Sequence, residues 1–252
     1  MSPAPRGPDR TAVGAHPLVA HPRRNANCHA CAFKSGCLPA ELEGQHLARF
    51  EQAVGRPQHP LRAGQILVRQ GDPIDTLYTL RAGAMKAFFD AADGTERVMA
   101  FRFPGAIIGL AEAYQTHWSR SLSALEDSRL CHIPLHAIDN VLQRQLMHLM
   151  SECLRREYEA HLTLALNSSA RKVIAFLLGL SAVFSARGQS AVDLRLPMTY
   201  LDIASHLGMR HESLSRTLSQ LEQQGLIQKS GRTIRLSDID RLRRIKHDME
   251  AP

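Results

Sequence analysis

Residues Thr199 to Gln224 read TYLDIASHLGMRHESLSRTLSQLEQQ. Leu201, Ala204 and Leu207 fall at helical spacing, and Gly208 supplies the left-handed residue that ends a helix. After Met209, Arg210 and His211, a second helix is predicted from Glu212 to about Gln224, burying Leu214, Leu218 and Leu221. Two short helices joined by a tight glycine-containing turn make a helix-turn-helix. The opposite face of the second helix carries Glu212, Ser215, Arg216 and Ser219. An arginine can bond bidentately to guanine and a carboxylate can accept from cytosine N4, so Arg216 and Glu212 are the expected base readers. Ser215 is expected on a base edge or a phosphate. Arg210 and His211 complete the expected DNA-facing set. Glu212 also suits the positive end of its helix dipole.

Working outward, Leu226 to Lys229, Ser230-Gly231 and Arg232 to Leu236 read as a hairpin, a wing presenting Lys229, Arg232 and Arg235. Ser237 is the expected N-cap of a last basic helix. Residues 166–252 hold 13 basic and 8 acidic side chains, whereas residues 28–165 are close to neutral with 14 and 15. A basic end on a neutral body points that end at a polyanion.

At the other end, Asn27 to Pro39 reads NCHACAFKSGCLP. Cys28, Cys31 and Cys37 have the spacing C-x2-C-x5-C. Two thiolates two residues apart can turn to one centre, and a third after a short loop nearly completes a soft-metal shell. Cys131 or Cys153 is left to supply a fourth. Such a set suits zinc or an iron–sulfur cluster.

Between these ends the texture changes twice. From Pro57 to Pro134, Ala63-Gly64, Gln70 to Pro73, Ala82-Gly83, Asp93-Gly94 and Pro104-Gly105 are turn signals about ten residues apart. Strands are predicted at 65–68, 76–80, 84–89, 97–101 and 130–133, with a hairpin tip at Asp93-Gly94. This is a β-roll in outline. A short helix is expected within 39–54. From about Asp139 a helix is predicted for nearly thirty residues. Met147, Met150, Leu154, Glu157 and His161 form a coiled-coil seam on it, suggesting a dimer axis. Leu146, Leu149, Cys153 and Leu164 form a second stripe facing the chain's own body. Glu157 would meet its own copy across a parallel dimer and keep pairing marginal. Cys153 reads as a buried apolar thiol.

With these residues in view, the chain resembles the CRP/FNR family of bacterial transcription regulators, and its FNR branch in particular, over residues 28 to about 240. Cys28, Cys31 and Cys37 match the FNR ligand spacing, and Ala124 to Pro134 (ALEDSRLCHIP) resembles the stretch carrying the fourth ligand, which assigns Cys131. Glu212 to Arg216 (ESLSR) matches the DNA-reading pattern E-x-x-S-R. The resemblance implies a [4Fe–4S] cluster on the four cysteines, with structural zinc as the alternative. It implies a homodimer on a TTGAT-like inverted repeat in double-stranded DNA, and RNA polymerase as a partner through loops such as Asp90 to Glu96.

The implied fold is α+β: a cyclic-nucleotide-binding-like β-roll sensor domain (27–138), a dimerisation helix (139–166) and a winged helix-turn-helix domain (167–252), after a tail (1–26). The family's other mode is cyclic nucleotide binding. Ile108-Gly109 and Arg120-Ser121 have the spacing of the phosphate motif, but Leu110 stands where a ribose-binding Glu is expected and Leu122 where a small Ala is usual. Cyclic AMP is therefore not the expected ligand, and Arg120-Ser121 is expected to be surface structure. No Walker loop, G-x-G-x-x-G, nucleophile elbow or H-E-x-x-H occurs, so no enzyme and no small-molecule substrate is expected. No run is long and apolar enough for a membrane span, and the expected address is cytoplasmic.

Overall fold

The structure, a computed structural model, describes residues 23–57, 60–91 and 94–247. Most of the expected tail lies outside these residues, as does Asp93 of the expected hairpin tip.

The glycine-punctuated segments become antiparallel strands. In chain order the first body contains β1 (Arg23–Asn25), α1 (Gly44–Ala53), β2 (Gly55–Pro57), β3 (Ile66–Val68), β4 (Thr76–Ala82), β5 (Met85–Asp90), β6 (Glu96–Arg102), β7 (Ile107–Ile108), β8 (Ser121–Ala124) and β9 (Arg129–Pro134). They form two sheets, ordered β1-β2-β9-β4-β7 and β3-β8-β5-β6. Leu67, Leu77, Leu80, Met85 and Ile133 are almost completely buried in the core of this roll. Gly83 joins β4 to β5 with φ +87°, and a Cβ there would lie 2.4 Å from the Ser128 hydroxyl. Only glycine turns the chain so tightly against β9's entry. Short β1, β2, β7 and β8 were not expected from the sequence. Strands this short carry little periodicity; β3, equally short, was legible through the glycine turns on either side of it.

α2 (Asn140–Leu164) leaves the roll. Asp139 caps it, accepting from the Val141 and Leu142 amides at 3.0 and 3.3 Å. No helix among the described residues is long and apolar enough to cross a membrane. The second body follows: α3 (Ser169–Ser185), β10 (Asp193–Arg195), α4 (Tyr200–His206), α5 (His211–Gln223), β11 (Ile227–Ser230), β12 (Thr233–Leu236) and α6 (Ile239–His247). Its core gathers Ile174 and Leu177 of α3 with Leu214, Leu218 and Leu221 of α5 and the sheet β10-β12-β11. The fold class is thus α+β with a winged helix-turn-helix.

Two local expectations are corrected. Leu201 is not on the buried face of α4; it is 66% exposed, and Ile203, Ala204 and Leu207 make that face. On a 3.6-residue period Leu201 sits about 100° from the centre of the face. Ser237 does not cap α6; Asp238 does, accepting from the Arg241 amide at 2.9 Å.

The two bodies are joined by more than α2. Lys86 of β5 bonds Asp202 of α4 at 2.9 Å. The Val98 amide of β6 donates to the Ser205 hydroxyl at 3.0 Å, and Ser205 donates to the Glu96 carbonyl at 3.1 Å. In the same seam Phe101 packs edge to face on Phe176 and on His206, and Phe176 lies tilted against His206. Burial holds the His206 imidazole below its ordinary range, although the nearby Met99 and Val98 carbonyls pull it up.

Candidate metal centre and DNA interface

The cysteine segment is wound in successive three-residue turns. The Cys31 amide donates to the Cys28 carbonyl (3.1 Å), Lys34 to Cys31 (3.0 Å) and Cys37 to Lys34 (3.0 Å). Side chains three apart are eclipsed in such turns. The spacing C-x2-C-x5-C follows these turns, and Cys28, Cys31, Lys34 and Cys37 all line one cavity. Glu51 of α1 anchors the start of the segment by accepting from the Cys28 and His29 amides. Gln145 of α2 anchors its end, donating to the Cys37 carbonyl at 3.3 Å.

Across from this segment, β9 and β4 supply the other wall of that cavity. Cys131 of β9 stands in register with Thr79 of β4, and the Thr79 hydroxyl lies 3.4 Å from the Cys37 sulfur. The cavity is lined by Cys28, Cys31, Cys37 and Cys131 together, with Arg81 of β4 also in its wall. Burial pushes the Cys37 thiol up; the Thr79 hydrogen bond opposes this, and the neighbouring Cys131 and Cys31 reinforce it. Cys153 is not in this wall. It is half-buried on α2, in a different cleft beside Arg102 and Glu157, rather than the fully buried thiol expected.

The donor set fits a thiolate-bound inorganic group. The thiols otherwise face apolar groups such as Phe50 and Ile133, where four ionised sulfurs without a cation would be strongly disfavoured. Among the described residues, however, no three Cys, His, Asp or Glu side chains are placed to hold a single metal ion. Zinc and a four-iron cluster each take four such thiolates.

The second cleft contains the phosphate-motif residues. Here the surface reading is corrected: Ser121 is 2% exposed and accepts from the Gln70 amide at 3.0 Å. Arg120 Nε donates to buried Glu112 at 3.0 Å, and Ser119 bonds the same carboxylate. Glu112 stands two residues after the expected carboxylate position, and its charge is spent on Arg120. About 50 Å³ of free space remains in this cleft.

On α2 the apolar surface is displaced from the expected seam. Met147, Leu154, Tyr158 and Leu162 are 62–68% exposed. Met150 instead turns inward against the roll, as do Leu149 and Cys153. Glu157 bonds Arg102 of β6 at 2.9 Å within the chain. Glu157 thus has an ion-pair partner within its own chain. His161 is exposed beside the stripe. Tyr158 and Leu162 fall outside the seven-residue pattern because a straight helix drifts about 20° per heptad from it.

On α5 the residues opposite the buried stripe face solvent. Arg210, His211, Glu212 and Arg216 are exposed, and Ser215 is half-buried among them. Ser219 is already engaged, accepting from Lys229 of β11 at 3.1 Å, and Lys229 also pairs with Glu222. Arg232 lies exposed at the wing tip. Arg235 stands 3.8 Å from Asp193.

Comparison with known proteins matches residues 58–145 to a cyclic nucleotide-binding domain and residues 171–245 to a Crp-like helix-turn-helix domain. The transcriptional activator protein FnrA of Stutzerimonas stutzeri is 33% identical over 222 residues, covering 86% of this chain and 91% of that protein. The transcriptional activator protein anr of Pseudomonas aeruginosa is 34% identical over 219 residues, 84% and 89% of the two chains. The structure of FixK2 from Bradyrhizobium japonicum superposes with a TM-score of 0.67 at 26% identity, over 75% of this chain and 96% of that one. With that identity along almost its whole described length, and with both domains matched, the chain belongs to the CRP/FNR family of DNA-binding transcription regulators.

Proposed function

We propose that this chain is an oxygen-responsive regulator of the anaerobic response, in which Cys28, Cys31, Cys37 and Cys131 hold a [4Fe–4S] cluster that governs dimerisation and DNA binding. The single observation that carries this reading is the shared cavity of those four cysteines. Relatives named as anaerobic regulatory proteins, such as that of Pasteurella multocida at 32% identity, support it. When bound, such a cluster supplies oxygen-labile redox chemistry at the cavity.

The chain's own residues connect the cavity to DNA. Glu51 and Gln145 tie the cysteine segment to α1 and α2. Leu142 and Leu146 of α2 share a core with Cys28 and Cys37, while Met147, Leu154, Tyr158 and Leu162 on the outer side of α2 suit a second copy of the chain. Two copies would present two α5 helices to successive major grooves, as an inverted TTGAT-like repeat requires. Glu212, Ser215 and Arg216 would read base edges, with Arg210, His211 and Arg232 on phosphates. RNA polymerase is the partner proposed for the connection between β5 and β6, where Asp90, Gly94, Thr95 and Glu96 are exposed.

Anaerobic reconstitution with ferrous iron and sulfide tests the cavity. The expected result is about four iron per chain with a visible charge-transfer band, both lost in the Cys131→Ala variant and kept in Cys153→Ala. A colourless protein holding one zinc per chain contradicts it.

A further inference from the structure

Arg81 lies on β4 two residues after Thr79, at an irregularity in the β4–β9 pairing between Leu80 and Ala82. Thr79 is on the thiol side, 3.4 Å from the Cys37 sulfur. Arg81 also stands in the wall of the cysteine cavity. Its Nε is buried and finds no hydrogen-bond partner among the described residues. The other lysine or arginine in that wall, Lys34, already donates to the Leu42 carbonyl at 3.1 Å. A buried guanidinium N–H without an acceptor is disfavoured. The side-chain acceptors lining this cavity are the cysteine sulfurs and the Thr79 hydroxyl, and that hydroxyl is already engaged with Cys37.

We propose that Arg81 donates its Nε–H to a sulfur of the loaded cysteine site and sets how readily that site is oxidised. This inference rests on the iron–sulfur reading above. A hydrogen bond and a positive charge beside the sulfurs favour the more electron-rich state, and such contacts tune the potential of these clusters. Arg81 thereby raises the reduction potential and slows oxidative loss. Nothing in the sequence pattern of the cysteines signals this residue; it emerges only from the cavity lining and an orphaned donor.

The test compares full-length wild type, Arg81→Lys and Arg81→Met, each reconstituted anaerobically with ferrous iron and sulfide. Iron and sulfide content, the midpoint potential by optical titration and the bleaching rate in air are read for each. Arg81→Met is expected to load, to show a lower potential and to bleach several-fold faster. Arg81→Lys, which keeps the charge but not the Nε donor, should fall between. A loaded Arg81→Met protein with wild-type potential and bleaching overturns the inference and leaves the iron–sulfur reading standing. If Arg81→Met does not load, Arg81→Lys decides, and wild-type behaviour there overturns it equally. A wild-type chain that takes up zinc but no iron overturns both.

Discussion

Lys86 of β5 bonds Asp202 of α4 at 2.9 Å, so the sensor roll and the first helix of the reading head share an ion pair. Both side chains are largely buried, and the same Asp202 carboxylate closes the capping box with Thr199 at the start of α4. One carboxylate therefore starts the helix and fixes where it docks. Burial pushes the Asp202 carboxyl up, but the Thr199 hydroxyl and amide and the Lys86 ammonium outweigh it, and the group is held below its ordinary range. Lys86 moves the opposite way: burial pulls it down, and Glu96 and Asp202 overcome this and raise it.

A depressed carboxyl contributes stability that is complete above its unfolded value, near pH 4, and is lost as pH falls through the folded value. Asp202→Asn should therefore cost about 1.5 kcal/mol at neutral pH and flatten the loss of stability below about pH 4. Urea unfolding across pH measures both. A wild-type acid limb in the variant contradicts the assignment.

Gly109 has φ +95°, and a Cβ there would lie 2.8 Å from both Leu77 and Trp118 side chains. Gly109→Ala combines left-handed strain with overfilling of the core and should destabilise the roll by about 2–4 kcal/mol. Thermal unfolding checks this, and an unchanged midpoint would show that the core accommodates the methyl group.

Leu154 and Tyr158 are exposed in the chain, so replacing either with Asp should leave its own stability within about 0.5 kcal/mol. If the stripe joins two copies, Leu154→Asp abolishes the dimer seen by sedimentation of the loaded protein. A dimer that persists moves the interface elsewhere.

Arg216→Ala should weaken binding to the specific inverted repeat by about 1–3 kcal/mol and relax discrimination at one base position. Arg232→Ala should weaken specific and nonspecific DNA alike and lower the salt dependence by about one counterion. Anisotropy titrations on matched and mutated sites separate the two roles.

The helix-turn-helix and wing were legible because Leu214, Leu218 and Leu221 keep a strict helical step and Gly208 marks the turn. Cys28, Cys31 and Cys37 were legible because their spacing follows the three-residue turns of their segment. Cys131 was reached through resemblance alone, since its pairing with Thr79 depends on strand register 52 residues away. The Glu112–Arg120 pair was hidden because its carboxylate stands two residues from the place a motif would put it. Met150 packing against the roll and Glu157 pairing with Arg102 were hidden for a related reason: tertiary contacts with the roll set the surroundings of each side of α2, and periodicity alone does not.

The most direct measurement is anisotropy of a labelled TTGAT-containing inverted repeat, titrated with the anaerobically reconstituted protein before and after air is admitted. The account predicts tight, dimer-dependent binding that falls at least tenfold, a loss of about 1.4 kcal/mol, as the visible band bleaches. Binding that is indifferent to air while the band disappears, or tight binding by a protein that never held iron, would contradict it.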